Sequence, residues 1–118
     1  MKRKPIPKET RLQVYNKYDK HCAYCGCELA YKDMQVDHFA SVYLCGDIID
    51  IRNLMPACRA CNFYKSTYTL EGFRKQLSLI PSRLDNQLTY RLAKKYNLIQ
   101  ETNINIKFYF ECVEENKD

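Results

Sequence analysis

Nowhere in this chain does an apolar run approach the roughly 20 residues that a membrane-spanning helix needs, so no membrane-embedded activity is expected. Met1-Lys2-Arg3-Lys4-Pro5 leads into polar sequence rather than the apolar core of a secretory signal, which points to a cytoplasmic protein. Internal repeats and low-complexity linkers are also missing, which argues against a solenoid or a string of modules. The length of 118 residues fits one domain over 1–118. At that size a hydrophobic core is marginal by itself, and a structural metal helps considerably.

Charge excludes little. The chain carries 19 Lys plus Arg against 14 Asp plus Glu, a net +5 that permits an anionic partner without specifying one. Its distribution says more. Lys2, Arg3, Lys4, Lys8, Arg11, Lys17 and Lys20 crowd the first twenty residues with only Glu9 and Asp19 opposing them, whereas Glu101, Glu111, Glu114, Glu115 and Asp118 dominate the last stretch. The basic end is the expected contact surface.

The seven cysteines are informative because four of them fall in two like-spaced pairs, Cys22/Cys25 and Cys58/Cys61. Two residues between thiolates let a knuckle or a first helical turn offer both sulfurs to one tetrahedral zinc. In a reducing compartment such pairs read as ligands rather than disulfides. Cys27, Cys45 and Cys112 are left as small, partly buried side chains, with Cys27 close enough to compete for the metal. His21, beside Cys22, is expected in solvent. Between the pairs lie Asp37 and His38, so zinc would close a loop around one acid and one imidazole.

A helix is expected over 8–18, with Leu12, Tyr15, Val14 and Tyr18 toward one face. Two short runs, 28–31 and 34–39, suggest a hairpin around Lys32-Asp33, though without the glycine such turns favour. Residues 40–57 read as a long loop with one short strand near 48–51, and a helix begins beside Cys58. Thr69 is placed to cap a helix reaching about Leu79. Ser82 with Asp85 imitates a capping box ahead of a stripe of Leu84, Leu88 and Leu92, on a helix that should end near Tyr96-Asn97. Strict alternation of Ile104, Ile106, Phe108, Phe110 and Cys112 with polar neighbours predicts a terminal strand.

The order of cysteine pair, Asp37-His38, Asn53-Leu54-Met55-Pro56, and second pair followed by Asn62 and then Lys65 resembles the HNH nucleases, the ββα-metal endonucleases with a four-cysteine zinc site. The resemblance covers about 20–75, leaving 76–118 as an extension. The last letter of the motif is Asn62 rather than His, making this an HNN variant. It implies an α+β domain: a ββα-metal core with structural zinc, an N-terminal helix and a C-terminal helix-plus-strand extension. It also implies a metal-dependent endonuclease acting on DNA, with RNA as a further substrate class. His38 would be the general base, Asp37 and Asn62 the ligands of a catalytic Mg²⁺ or Mn²⁺, and Asn53 the residue that holds the His38 ring. Arg59 and Lys65, around the helix that bears Asn62, are the expected phosphate contacts.

Two other classes fit these residues poorly and a third remains beside the nuclease. A zinc nucleobase deaminase needs His-x-Glu, and here His38 is followed by Phe39-Ala40. A thioredoxin-like oxidoreductase would leave the second cysteine pair unused and lacks a βαβ setting. The remaining alternative is a catalytically inactive zinc module that binds nucleic acid or protein. Asp47 and Asp50 are expected to face solvent, as are Arg83, Arg91, Lys94 and Lys95.

Overall fold

A computed structural model describes residues 5–40 and 50–116. Cys45, Asp47 and most of the strand expected near 48–51 lie outside those residues. The chain divides into two compact units, Met1–Leu70 with Lys107–Asp118, and Glu71–Ile106.

The first unit is built on a two-stranded antiparallel sheet. Strand β1, Gln35–His38, pairs with β2, Leu54–Ala57, in the register Asp37 opposite Met55 and His38 opposite Leu54. All four residues of β2 are buried, including Pro56, which a two-stranded sheet tolerates because each strand is an edge. Helix α1, Lys8–Lys17, lies on β2 and buries Val14, with Tyr18 buried just beyond its end. Leu12, expected on the inner face, is instead half exposed. Helix α2, Arg59–Lys65, follows β2 directly and packs on β1, completing a ββα unit.

Three expectations are corrected here. Strand β2 lies within 40–57, a stretch expected as loop with its strand nearer 48–51. The partner of β1 is not 28–31. Tyr31–Asp33 forms a 3₁₀ turn, and the Arg11 guanidinium takes the carbonyls of Tyr31 at 2.7 Å and Met34 at 3.0 Å, which flank the proposed hairpin turn. The terminal strand is absent among the described residues as well. Helix α6, Tyr109–Glu115, occupies its second half, because Glu111 at the third helical position accepts from the Phe108 amide at 2.8 Å and starts a helix. Only Phe108 and Phe110 of the alternating set are well buried, while Ile104 is exposed.

In the second unit, α3, Leu70–Ser78, buries Phe73. Helix α4, Ile80–Leu84, is capped at Leu79 with Pro81 in its first turn rather than at Ser82, whose Oγ donates back to the Leu79 carbonyl at 2.9 Å. Helix α5, Leu88–Lys95, is separate from it, so Leu84 and Leu88 do not share one stripe. The basic residues of this unit pair locally: Lys94 with Asp85 at 2.6 Å and Glu101 at 3.1 Å, and Arg83 with Gln76 at 2.7 Å. Among the described residues no helix is long and apolar enough to cross a membrane.

Candidate zinc frame and active site

The first cysteine pair sits in a knuckle closed by backbone hydrogen bonds, Cys22 N to Cys27 O at 2.8 Å and Gly26 N to Cys22 O at 3.0 Å. Gly26 has φ of +80°, and a Cβ there would stand 2.8 Å from the Tyr109 ring, so both backbone and space require glycine. Ala23 N donates to Pro56 O at 2.8 Å, fastening the knuckle to β2. The second pair opens α2: Cys58 is its N-cap, and its sulfur accepts from Cys61 N at 3.4 Å.

The four sulfurs of Cys22, Cys25, Cys58 and Cys61 lie within 4.8 Å of one another. Tetrahedral zinc with bonds of about 2.3 Å sets its sulfurs about 3.8 Å apart, and Cys25 Sγ to Cys58 Sγ measures 3.8 Å. The donor set therefore fits zinc. Hydrogen bonding from Cys61, helped by nearby backbone amides, holds the Cys22 thiol down to about 4 against the opposing effect of burial, while the same contact pushes Cys61 up. Within the cluster the thiolate is favoured at Cys22, and burial raises Cys25 as well. Cys27 is outside the four-sulfur set, and His21 turns away, its Nδ1 2.7 Å from Asp19 O and its ring stacked on Tyr109.

Asp37 and His38 occupy the end of β1, 5% and 4% exposed. The Asp37 carboxylate receives two donors on the same oxygen: Tyr24 Oη at 2.5 Å and Lys65 Nζ at 3.0 Å from Oδ2. Burial raises the Asp37 carboxyl, while Lys65 and the Tyr24 hydrogen bond oppose that rise. Burial and the neighbouring Asp37 push the Tyr24 phenol far up, so it remains protonated and donates.

Lys65 departs from its expected role. Its side chain has 0% exposure, and its ammonium also donates to His38 O at 3.2 Å, so it is an internal clamp between α2 and β1 with no surface to give a phosphate. Asn62 stands three residues earlier, on the same face of α2 as Lys65. Its half-buried side chain makes no hydrogen bond among the described residues. Arg59, at the start of α2, is exposed, as is Phe63, at 82%.

Asn53 also differs from expectation. Its side chain accepts from Ala40 N at 2.8 Å and donates to Ala40 O at 3.3 Å, and its carbonyl accepts from Phe39 N at 2.7 Å. It fixes the backbone just after His38 rather than the imidazole ring. Two residues of the predicted basic contact surface are likewise used internally: Arg11 as above, and Lys17, which donates to Ile51 O at 2.7 Å and Leu54 O at 3.0 Å. Asp50 pairs with Arg52 at 2.7 Å.

The residue that sequence reasoning missed is Tyr24. Its only signal was its place inside the Cys22–Cys25 knuckle, which does not reveal that the phenol points at Asp37. Residues 22–67 match the family described as HNH endonuclease, an interval from the first zinc-frame cysteine to just past Lys65. No curated protein matches the chain.

Proposed function

We propose that this HNH endonuclease segment, working within a single domain over 1–118, is an active metal-dependent nuclease that hydrolyses DNA phosphodiester bonds. The observation that carries the reading is Lys65, whose ammonium meets both the Asp37 carboxylate and the His38 carbonyl. Through it the zinc-anchored helix bearing Asn62 is pinned to the strand end bearing the acid and the imidazole.

His38 takes the proton from the attacking water, since an imidazole with a reference pKa of about 6.5 is available as a base near neutrality. Asp37 Oδ1 and the Asn62 amide oxygen offer two hard donors suited to Mg²⁺ or Mn²⁺, which retain further positions for water and phosphate. That cation would neutralise charge on the phosphate and assist the departing 3′ oxygen. Asn53 holds the Phe39–Ala40 backbone and so fixes where the His38 ring sits. Exposed Arg59 is the phosphate contact on α2.

A second reading, a zinc module that binds nucleic acid or protein without cutting it, is favoured by the near-complete burial of Asp37 and His38. Plasmid nicking with Mg²⁺ or Mn²⁺ separates the two. Cleavage by the wild type and its loss in His38→Ala supports the nuclease; equal cleavage by both proteins clears His38 of its role, and an inert wild type leaves the binding module.

A further inference from the structure

We propose that Tyr24, lying between the zinc ligands Cys22 and Cys25, is a positioning residue for the catalytic cation site, its hydroxyl holding Asp37 Oδ2 so that Oδ1 is left for the cation. The inference rests on the nuclease reading above and assigns a role to a side chain outside the family motif already quoted.

Both donors to Asp37 use one oxygen. Tyr24 Oη and Lys65 Nζ approach Oδ2 at 2.5 and 3.0 Å, and Oδ1 makes no hydrogen bond among the described residues. A carboxylate on a short side chain can otherwise rotate between two near-equivalent oxygens, so two donors on Oδ2 remove that freedom and define which oxygen is available. Partners that orient a metal ligand in this way typically account for about 10–100-fold in metal affinity.

The phenol itself is tightly held. Its ring meets Phe108 edge-on at 5.6 Å and Phe110 at 6.2 Å, and its backbone carbonyl accepts from Tyr109 N at 3.0 Å. The knuckle on either side is fixed by Cys22 and Cys25. Zinc held by these sulfurs would support the cation site through two of the chain's own residues: Cys61 places its neighbour Asn62, and the first pair places Tyr24 against Asp37. The knuckle that would hold the metal thereby also sets the direction of the Asp37 carboxylate, through Tyr24.

Tyr24→Phe tests this because it keeps the ring contacts and removes only the hydroxyl. Zinc-loaded wild type, Tyr24→Phe and Tyr15→Phe are titrated with Mn²⁺ and followed by electron paramagnetic resonance, with plasmid cleavage measured across the same Mn²⁺ range. Tyr15→Phe is the control, since it loses a phenolic bond elsewhere, to Leu29 O at 2.8 Å. The expected result is a half-saturating Mn²⁺ concentration raised about 10–100-fold in Tyr24→Phe only, with cleavage recovering at high Mn²⁺ and KM for DNA unchanged. Wild-type Mn²⁺ affinity in Tyr24→Phe, or an equal shift in both variants, overturns the proposal while leaving the nuclease reading standing. A wild type that neither binds Mn²⁺ nor cuts DNA overturns both.

Discussion

Lys65 Nζ lies 3.0 Å from Asp37 Oδ2 with no solvent access to the lysine side chain, so a full positive charge is buried against a nearly buried negative one. Removing one member strands the other in a medium where an unpaired charge is costly. Lys65→Met is expected to destabilise the protein by about 3–5 kcal/mol, read as a lower urea midpoint at fixed zinc. The double variant Lys65→Met/Asp37→Asn should recover a substantial part, because it removes both charges. If Lys65 instead served an exposed phosphate, the single variant would weaken DNA binding and leave the urea midpoint unchanged.

His38 at the end of β1 is expected to dominate the rate. His38→Ala should lower plasmid cleavage by about 10²–10⁴-fold without altering zinc content. Its far-ultraviolet circular dichroism should match wild type, since its backbone pairing with Leu54 does not depend on the ring.

If Asn62 is a ligand of the proposed cation, it sets the cation preference. An amide oxygen suits Mg²⁺ and Mn²⁺, whereas an imidazole suits Ni²⁺ and Zn²⁺. Asn62→His should therefore gain activity with Ni²⁺ relative to Mg²⁺, and Asn62→Ala should lose activity with both. Best wild-type activity in Ni²⁺, with none in Mg²⁺ or Mn²⁺, would refute the assignment.

The zinc frame predicts a contrast between neighbouring cysteines. Cys61→Ser should lose bound zinc and lower the thermal midpoint, since metal binding is coupled to folding. Cys27→Ser should retain full zinc stoichiometry, because its sulfur lies outside the four that converge. Atomic absorption and thermal melting check both.

Gly26→Ala should destabilise the knuckle by about 1–3 kcal/mol. The positive φ and the close approach of the Tyr109 ring act in the same direction. Tyr109→Ala in the same background should recover only the steric part.

The four-cysteine cluster and helices α1 and α2 were legible because each rests on short-range spacing, whereas β2 at 54–57 falls inside a stretch that reads as loop and takes its strand character from pairing with β1. A Cys-x-x-Cys pair forms a knuckle or a helix start almost irrespective of what surrounds it, and Cys58 does so as the cap of α2. What failed depended on distant partners. Residues 28–31 look like a strand until Arg11, far back in α1, takes the carbonyls beside the turn. The alternation at 104–112 is real at Phe108 and Phe110, yet it reflects two rings entering the aromatic cluster around Tyr24, while Glu111 commits the following residues to a helix. The charge of Lys65 alone suggests a surface contact, and only the fold brings the Asp37 carboxylate to it. Asn53 lies beside His38 but bonds the Ala40 backbone, and backbone partners leave no trace in side-chain identity.

The amides of Tyr109 and Phe110 donate to the carbonyls of Tyr24 and Ala23 at 3.0 and 2.8 Å. All four thiols therefore leave the ribosome well before the segment that closes over the first pair. A nascent chain thus brings all four sulfurs together while the Tyr24 phenol is still unsupported, and the Tyr24–Asp37 contact gains its backing only once residue 110 has emerged.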